Sequence, residues 1–226
     1  MRSRGAFLIA ALVALLASSS LSAVAADPPT VTIHADRSIY VAGQTAAVDF
    51  RVDNVGSGTT LKIVLTYANG HTQTQSTGAE TNGETFRYHY YMYVDTRIDA
   101  YMGAATEPSS TLRIPVRAAV GIAIAGYYQR SGSYAVFAHG SSPTFRSATV
   151  PPRLYRCIRH EVWRRSSSGW IKIGTSPCKS ENSQGYVNWT WAGAHSSSYH
   201  YRVRARFLGD SWNHANSSKY IYFRFA

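Results

Sequence analysis

Tyr199-His-Tyr-Arg-Val-Arg-Ala-Arg-Phe-Leu208 alternates strictly between apolar and basic side chains. Tyr199, Tyr201, Val203, Ala205 and Phe207 fall on one side, and His200, Arg202, Arg204 and Arg206 on the other. A period of two belongs to a β-strand with one buried face. The apolar set is expected to point into a core, leaving three arginines in a row about 6–7 Å apart on the outside. The closing stretch Lys219–Phe225 follows the same rule, with Ile221, Phe223 and Phe225 inward and Tyr220, Tyr222 and Arg224 outward.

Working outward from these two strands, short alternating runs recur about every ten residues between Gly, Ser, Asn and Pro. They predict strands over Thr30–Ala35, Thr45–Asp53, Thr60–Tyr67, Phe86–Asp95 and Thr111–Val116. Further strands are predicted over Ala118–Ala125, Ser133–Ala138, Tyr155–Arg165, Trp170–Gly174 and Gly185–Ala192. No long segment has the i, i+3, i+4, i+7 pattern of an amphipathic helix, so the fold class is all-β. Of the 226 residues, 15% are charged and 13% aromatic, the reverse of the balance that keeps a chain disordered. Two cysteines are too few for a disulfide framework or a zinc ribbon.

Met1-Arg2-Ser3-Arg4, the apolar Gly5–Ala17 and the small residues Ala23-Val24-Ala25-Ala26 read as a cleaved signal peptide over 1–26. No later stretch approaches the roughly 20 apolar residues of a transmembrane helix. The mature chain is therefore expected to be secreted, either released or associated with the cell wall.

An internal echo divides what remains. Tyr40-Val-Ala-Gly43 is matched by Phe137-Ala-His-Gly140, Leu61–Tyr67 by Arg156–Trp163, Phe86–Tyr90 by Tyr199–Val203, and Thr111–Val116 by Tyr220–Phe225. This predicts domains over 27–117 and 118–226, each the size of a β-sandwich, with one sandwich of about 200 residues as the other reading. Ser38-Ile-Tyr-Val-Ala-Gly-Gln44 resembles the S-x-Y-x-x-G-Q opening of bacterial immunoglobulin-like repeats. Glu161–Ile173 is similar to a strand–turn–strand of such modules, and Tyr199–Gly209 with Asn216–Phe223 resembles their ending. The resemblance is to secreted actinobacterial immunoglobulin-like proteins, spans most of residues 30–226 and is stronger in the second unit. It implies two tandem immunoglobulin-like sandwiches without catalytic activity.

Charge separates the chain sharply. Asp27–Val150 holds nine Lys and Arg against nine acids, whereas Pro151–Ala226 holds twelve against Glu161, Glu181 and Asp210. A GC-rich genome would raise arginine everywhere and does not explain this asymmetry, which points to a polyanionic partner. With Ser166–Gly169 as a turn, Arg165 opposes Trp170 and Val162 opposes Ile173. The same register sets Cys157 opposite Cys178, within reach of a disulfide in an exported chain. That strand also offers Arg159, Trp163 and Arg165 on its Cys157 side.

The candidate polyanion-binding set is thus Arg202, Arg204, Arg206, Arg224, Arg159 and Arg165, with Tyr220, Tyr222, Trp212 and Trp163 as contact aromatics. Guanidinium groups pair with phosphate or carboxylate, and aromatic faces stack on sugars or bases. The expected partner is an anionic cell-wall polymer or polysaccharide, with extracellular nucleic acid or a protein as alternatives. A solvated strand face whose Arg and Tyr stems merely cover the sheet is the bland reading. Trp170 and Trp189 or Trp191 are expected in the core; Trp189 and Trp191 share a face by alternation, so both are either core or a carbohydrate-stacking platform, with core favoured. His89, Tyr91 and Tyr93 are expected on an outward face.

Catalytic signatures are missing. No G-x-S-x-G elbow occurs, and His160-Glu161 has no second His at zincin spacing. Asp95/Asp99 and Asp49/Asp53 fit no metal loop. No enzyme, metal or cofactor is expected. The function read from the sequence is a non-catalytic extracellular binding or structural module, the alternatives being a carbohydrate-binding module or a protein–protein adhesion module.

Overall fold

The computed structural model describes residues 27–79, 81–193 and 196–226, so the signal-peptide reading over 1–26 lies outside the described residues. In the N-terminal half, β1 (Thr30–Ala35), β2 (Tyr40–Val41), β3 (Gln44–Asp53), β4 (Thr59–Tyr67) and β5 (Thr72–Ala79) come first. They are followed by β6 (Thr85–Met92), β7 (Thr96–Met102), β8 (Ser110–Ile114) and β9 (Val116–Arg117). Two sheets, β1-β3-β6 and β5-β4-β7-β8, face each other, while β2 and β9 pair in parallel at the side. Inward residues from both close one core: Val48, Phe50, Val52 and Met92 from one sheet meet Leu61, Ile63, Leu65, Ile98 and Ile114 from the other.

The C-terminal half contains β10 (Ala119–Ala125), β11 (Gln129–Ser131), β12 (Tyr134–Phe137), β13 (Thr144–Val150), β14 (Cys157–Ser166) and β15 (Gly169–Thr175). It continues with β16 (Lys179–Ser180), β17 (Val187–Thr190), β18 (His200–Phe207), β19 (Asn216–Ser217) and β20 (Ile221–Phe225). Sheet β10-β13-β17 packs on the larger sheet β11-β12-β20-β18-β14-β15, to which β16 and β19 are attached. A second core forms from Phe145 on one side and Phe137, Val162, Tyr201, Val203, Phe223 and Phe225 on the other. In both halves a three-stranded sheet opposes a larger one whose central strands are consecutive in neither, the immunoglobulin-type arrangement.

The Ser38–Gln44 motif has a clear local logic. Tyr40 is buried with its hydroxyl donating to Asp36, and burial with that carboxylate pushes its pKa up to about 12. Gly43 adopts φ 92°, a conformation that favours glycine, and its N–H donates to Met92 O. Gln44 accepts the Val41 N–H through its side chain at 2.8 Å. The motif thereby turns the chain from β2 into β3 with its polar groups satisfied.

Three strands escape the alternation rule. β5, TQTQSTGA, is polar except at its Gly78-Ala79 end, where Ala79 joins the core, and it lies at a sheet edge. β7 buries Asp99 on its outer side against Arg97 (2.9 Å) and Thr111 (2.6 Å), so its burial is nearly continuous. β13 buries Ser147 and Thr149 beside Phe145 and shows polar residues where a core pattern would be sought. One echo is also corrected. Phe86–Tyr90 lies in β6, beside β3, whereas Tyr199–Val203 leads into β18, the central strand whose topological counterpart is β7.

Candidate functional site

The basic strand behaves as its alternation requires. In β18, Tyr201, Val203, Ala205 and Phe207 are buried, and Arg202, Arg204 and Arg206 face outward; Tyr199, expected inward, is exposed just before the strand. β18 lies between β14 and β20, so three strands contribute to one outer face. Register sets Arg159 opposite Arg206, Glu161 opposite Arg204 and Trp163 opposite Arg202. On the other flank Arg202 opposes Tyr222 and His200 opposes Arg224. All six candidate arginines therefore share one sheet face.

They do not share one environment. The Arg202 guanidinium lies over three rings, 4.0 Å from the centroid of Tyr220, 4.6 Å from Trp170 and 5.6 Å from Trp163. Arg204 sits over Trp163 (5.0 Å) and Tyr220 (5.4 Å) while its Nε donates to Glu161 at 2.9 Å. Lys172 approaches the other Glu161 oxygen at 3.7 Å. Trp163 and Tyr220 meet edge to face at 5.2 Å, and Trp170 meets Tyr222 at 5.8 Å. This is a cation–π ladder closed on itself, each partly desolvated contact contributing about 0.5–2 kcal/mol. Trp163 is buried beneath it, while Tyr220 and Tyr222 are half-buried.

Outside the ladder, Arg159 and Arg206 are exposed and directly opposed, with no acid paired to either among the described residues. Arg165 is exposed, 5.9 Å from the Trp170 ring. Arg224 is half-buried, and its Nε, like that of Arg202, is buried without a hydrogen-bond partner.

Two aromatic assignments change. Trp170, expected in the core, lies on the outer face because it directly opposes the outward Arg165, and directly opposed residues point to the same side of a sheet. Trp212, expected to be exposed, is half-buried under the Arg153 guanidinium at 4.0 Å and contacts that residue instead of the ladder. Asp210 Oδ1 accepts the N–H groups of Trp212 (2.8 Å) and Asn213 (3.0 Å), which folds the turn back on itself. Trp189 and Trp191 pack into the core, and His89, Tyr91 and Tyr93 are exposed, as their alternation predicts.

Cys157 and Cys178 are disulfide-bonded with Cα atoms 5.3 Å apart, but through a different register from the one expected. A bulge places Val162 opposite Gly174 instead of Ile173. The ladder then breaks at Ser176-Pro177, where Pro177 has no N–H to give, and resumes with Cys157 opposite Ser180. Ser176 fills the break by donating its N–H to His160 O (2.8 Å) and accepting the His160 N–H at 2.9 Å.

His160 and Glu161 point to opposite faces, which removes any joint chemistry. His160 is fully buried, 2.8 Å from Ser147 Oγ and stacked near Phe145 and Trp189, and burial lowers its pKa to about 4. The aspartate pairs also separate. Asp49 is held by a bidentate bond from Arg87, both distances 2.7 Å, which lowers its pKa, and Asp53 lies beside Arg51. No group of three or more His, Cys, Asp or Glu placed to hold a metal occurs among the described residues.

Sequence reasoning missed a second feature, a cleft of about 590 Å³ where the two halves meet. Its lining includes Tyr67, Arg97 and Arg113 from the N-terminal half and Ser211 and His214 from the C-terminal half. No local pattern links these positions, because the topology alone assembles them.

No protein-family model matches the sequence, and no curated protein does. Among solved structures, a tetra-tandem repeat from the extending region of a large adhesion protein aligns at 12% identity and a TM-score of 0.39, covering 84% of this chain and 48% of that one. Escherichia coli alpha-2-macroglobulin in its native conformation aligns at 10% identity and a TM-score of 0.31, covering 85% and 14%. The same protein activated by porcine elastase gives 11% and 0.35, covering 88% and 23%. The chain thus spans less than half the length of each of these structures.

Proposed function

We propose that the chain is a secreted, non-catalytic binding module of two tandem immunoglobulin-like domains, 27–117 and 118–226, whose C-terminal sheet contacts an anionic cell-wall polymer. The carrying observation is the exposed Arg159–Arg206 pair on a face that also presents Arg165. Like charges directly opposed across a ladder repel, and a phosphate or carboxylate bridging them removes that repulsion while accepting charge-assisted hydrogen bonds. The disulfide accords with an oxidising, extracellular compartment. In this reading the contact shifts from Arg202 and Arg204, engaged in the ladder, to the arginines around it.

A structural spacer or protein–protein module is the second reading, favoured by how the ladder engages Arg202 and Arg204 with its own rings and Glu161. Retention of mature protein on purified cell wall, at low and high salt, separates the two. Electrostatic contact predicts retention that is lost in high salt and lost in an Arg159→Ala/Arg206→Ala variant. Salt-resistant retention moves the assignment to aromatic stacking on sugar. Failure of the wild type to bind at either salt eliminates the wall polymer and leaves the spacer.

A further inference from the structure

The junction cleft has a chemistry of its own. On the outer side of the β4-β7-β8 sheet, Arg97 and Arg113 are directly opposed across the ladder. Asp99 neutralises Arg97 through the 2.9 Å contact to its Nε, and it also accepts from Thr111. Arg113 is exposed and forms no ion pair among the described residues, although Asp95 lines the same cleft. One guanidinium of this like-charged pair is therefore uncompensated, and it borders an opening lined by groups from both halves of the chain.

The other charged groups there are already engaged. Asp95 accepts the Val116 N–H at 2.6 Å through Oδ1, and its Oδ2 lies 3.4 Å from His214 Nε2. The remaining surface combines Thr66 and Ser211, which carry hydroxyls, with the apolar body of Pro115. A cationic fork beside the apolar Pro115 and scattered hydroxyls suits a small ligand with a carboxylate, an apolar face and several hydroxyl groups.

We propose that this cleft is a second binding site, independent of the basic sheet, and that its ligand is an acidic saccharide unit. Arg113 and Arg97 hold the carboxylate, Pro115 takes the apolar face of the ring, and Thr66 and Ser211, one from each half, bond its hydroxyls. Because the lining comes from both halves, an occupied cleft ties them together.

The test is backbone NMR of the mature protein titrated with a glucuronic acid-containing oligosaccharide. Its neutral glucose counterpart and a short peptide with a free C-terminal carboxylate are titrated in parallel. The proposal expects shifts confined to the cleft lining, no response to the neutral sugar, and affinity about tenfold weaker in Arg113→Gln, the scale of losing one charged hydrogen-bonding partner. The Arg159→Ala/Arg206→Ala variant should bind as the wild type does, which separates this site from the sheet face. Binding unchanged in Arg113→Gln, equal binding of the neutral sugar, or the absence of cleft shifts with the acidic sugar would each overturn the proposal. Equal or tighter binding of the peptide carboxylate overturns the saccharide assignment. Arg113 is exposed, so its substitution tests the contact without threatening the fold.

Discussion

His160 shows how one residue joins an inward strand position to a measurable property. It belongs to the face of β14 that also carries Ile158 and Val162, and all three are fully buried. Desolvation, with a smaller contribution from nearby Lys179, lowers its pKa from 6.5 to about 4. The unfolded chain therefore binds the proton more readily, and between pH 6.5 and about 4 stability must fall as pH falls. The full loss amounts to about 3 kcal/mol. Thermal melts at pH 7.5 and pH 4.5 should show a marked drop at the lower pH. A His160→Phe variant should lose most of that difference, whatever its stability at neutral pH; an equal drop in the variant would assign acid sensitivity to other groups.

At the scale of elements, β14, β18 and β20 make a face whose arginines divide into two classes. Those over the Trp163 and Tyr220 rings hold the sheet surface together, whereas Arg159 and Arg206 project into solvent. Trp163→Ala should destabilise the chain by about 3 kcal/mol, since it empties a buried site and removes the ring beneath two guanidinium groups. Arg206→Ala should change stability by no more than about 0.5 kcal/mol. Chemical denaturation of the two variants checks this contrast, and equal effects would mean that the ladder contributes nothing as a unit. Which way each arginine points was legible in the alternation of β18. Whether it is covered was not, because the covering rings come from β14, β15 and the approach to β20. β5, β7 and β13 were missed for a related reason: a polar edge strand, a nearly continuously buried strand and a strand with inward Ser and Thr lack the contrast that reveals alternation.

Across the whole molecule, the turn after β18 joins the two halves. The Asn213 side-chain amide donates to Tyr93 O at 2.7 Å and Val116 O at 3.3 Å, while its oxygen accepts from Arg156 Nη2 at 2.6 Å. Backbone bonds run alongside, from Asp95 N to Trp212 O at 2.8 Å and from His214 N to Val116 O at 2.9 Å. Arg156 is itself buried and paired with Asp210 at 3.1 Å, so the second half presents Asn213 on a braced support. Asn213→Ala removes the hydrogen-bond partner of the buried Arg156 Nη2 and the side-chain donor to Tyr93 O, while Val116 O keeps the His214 N–H. A buried polar group left unpaired costs about 1–3 kcal/mol. Each half keeps its own core, so the expected result is a looser junction with both halves folded. Small-angle scattering should report a larger radius of gyration for the variant, and an unchanged profile would show that the backbone bonds suffice.

The all-β class, the inward set of most strands and the identity of the disulfide partners followed from the sequence by itself. They depend on a period of two, which is local, and on there being only two cysteines to pair. The disulfide register, the outward Trp170, the closed ladder and the junction cleft were decided by the tertiary structure alone. Each depends on which strands become neighbours, and contacts such as Asn213 with Tyr93, 120 residues apart, leave no trace in any local pattern.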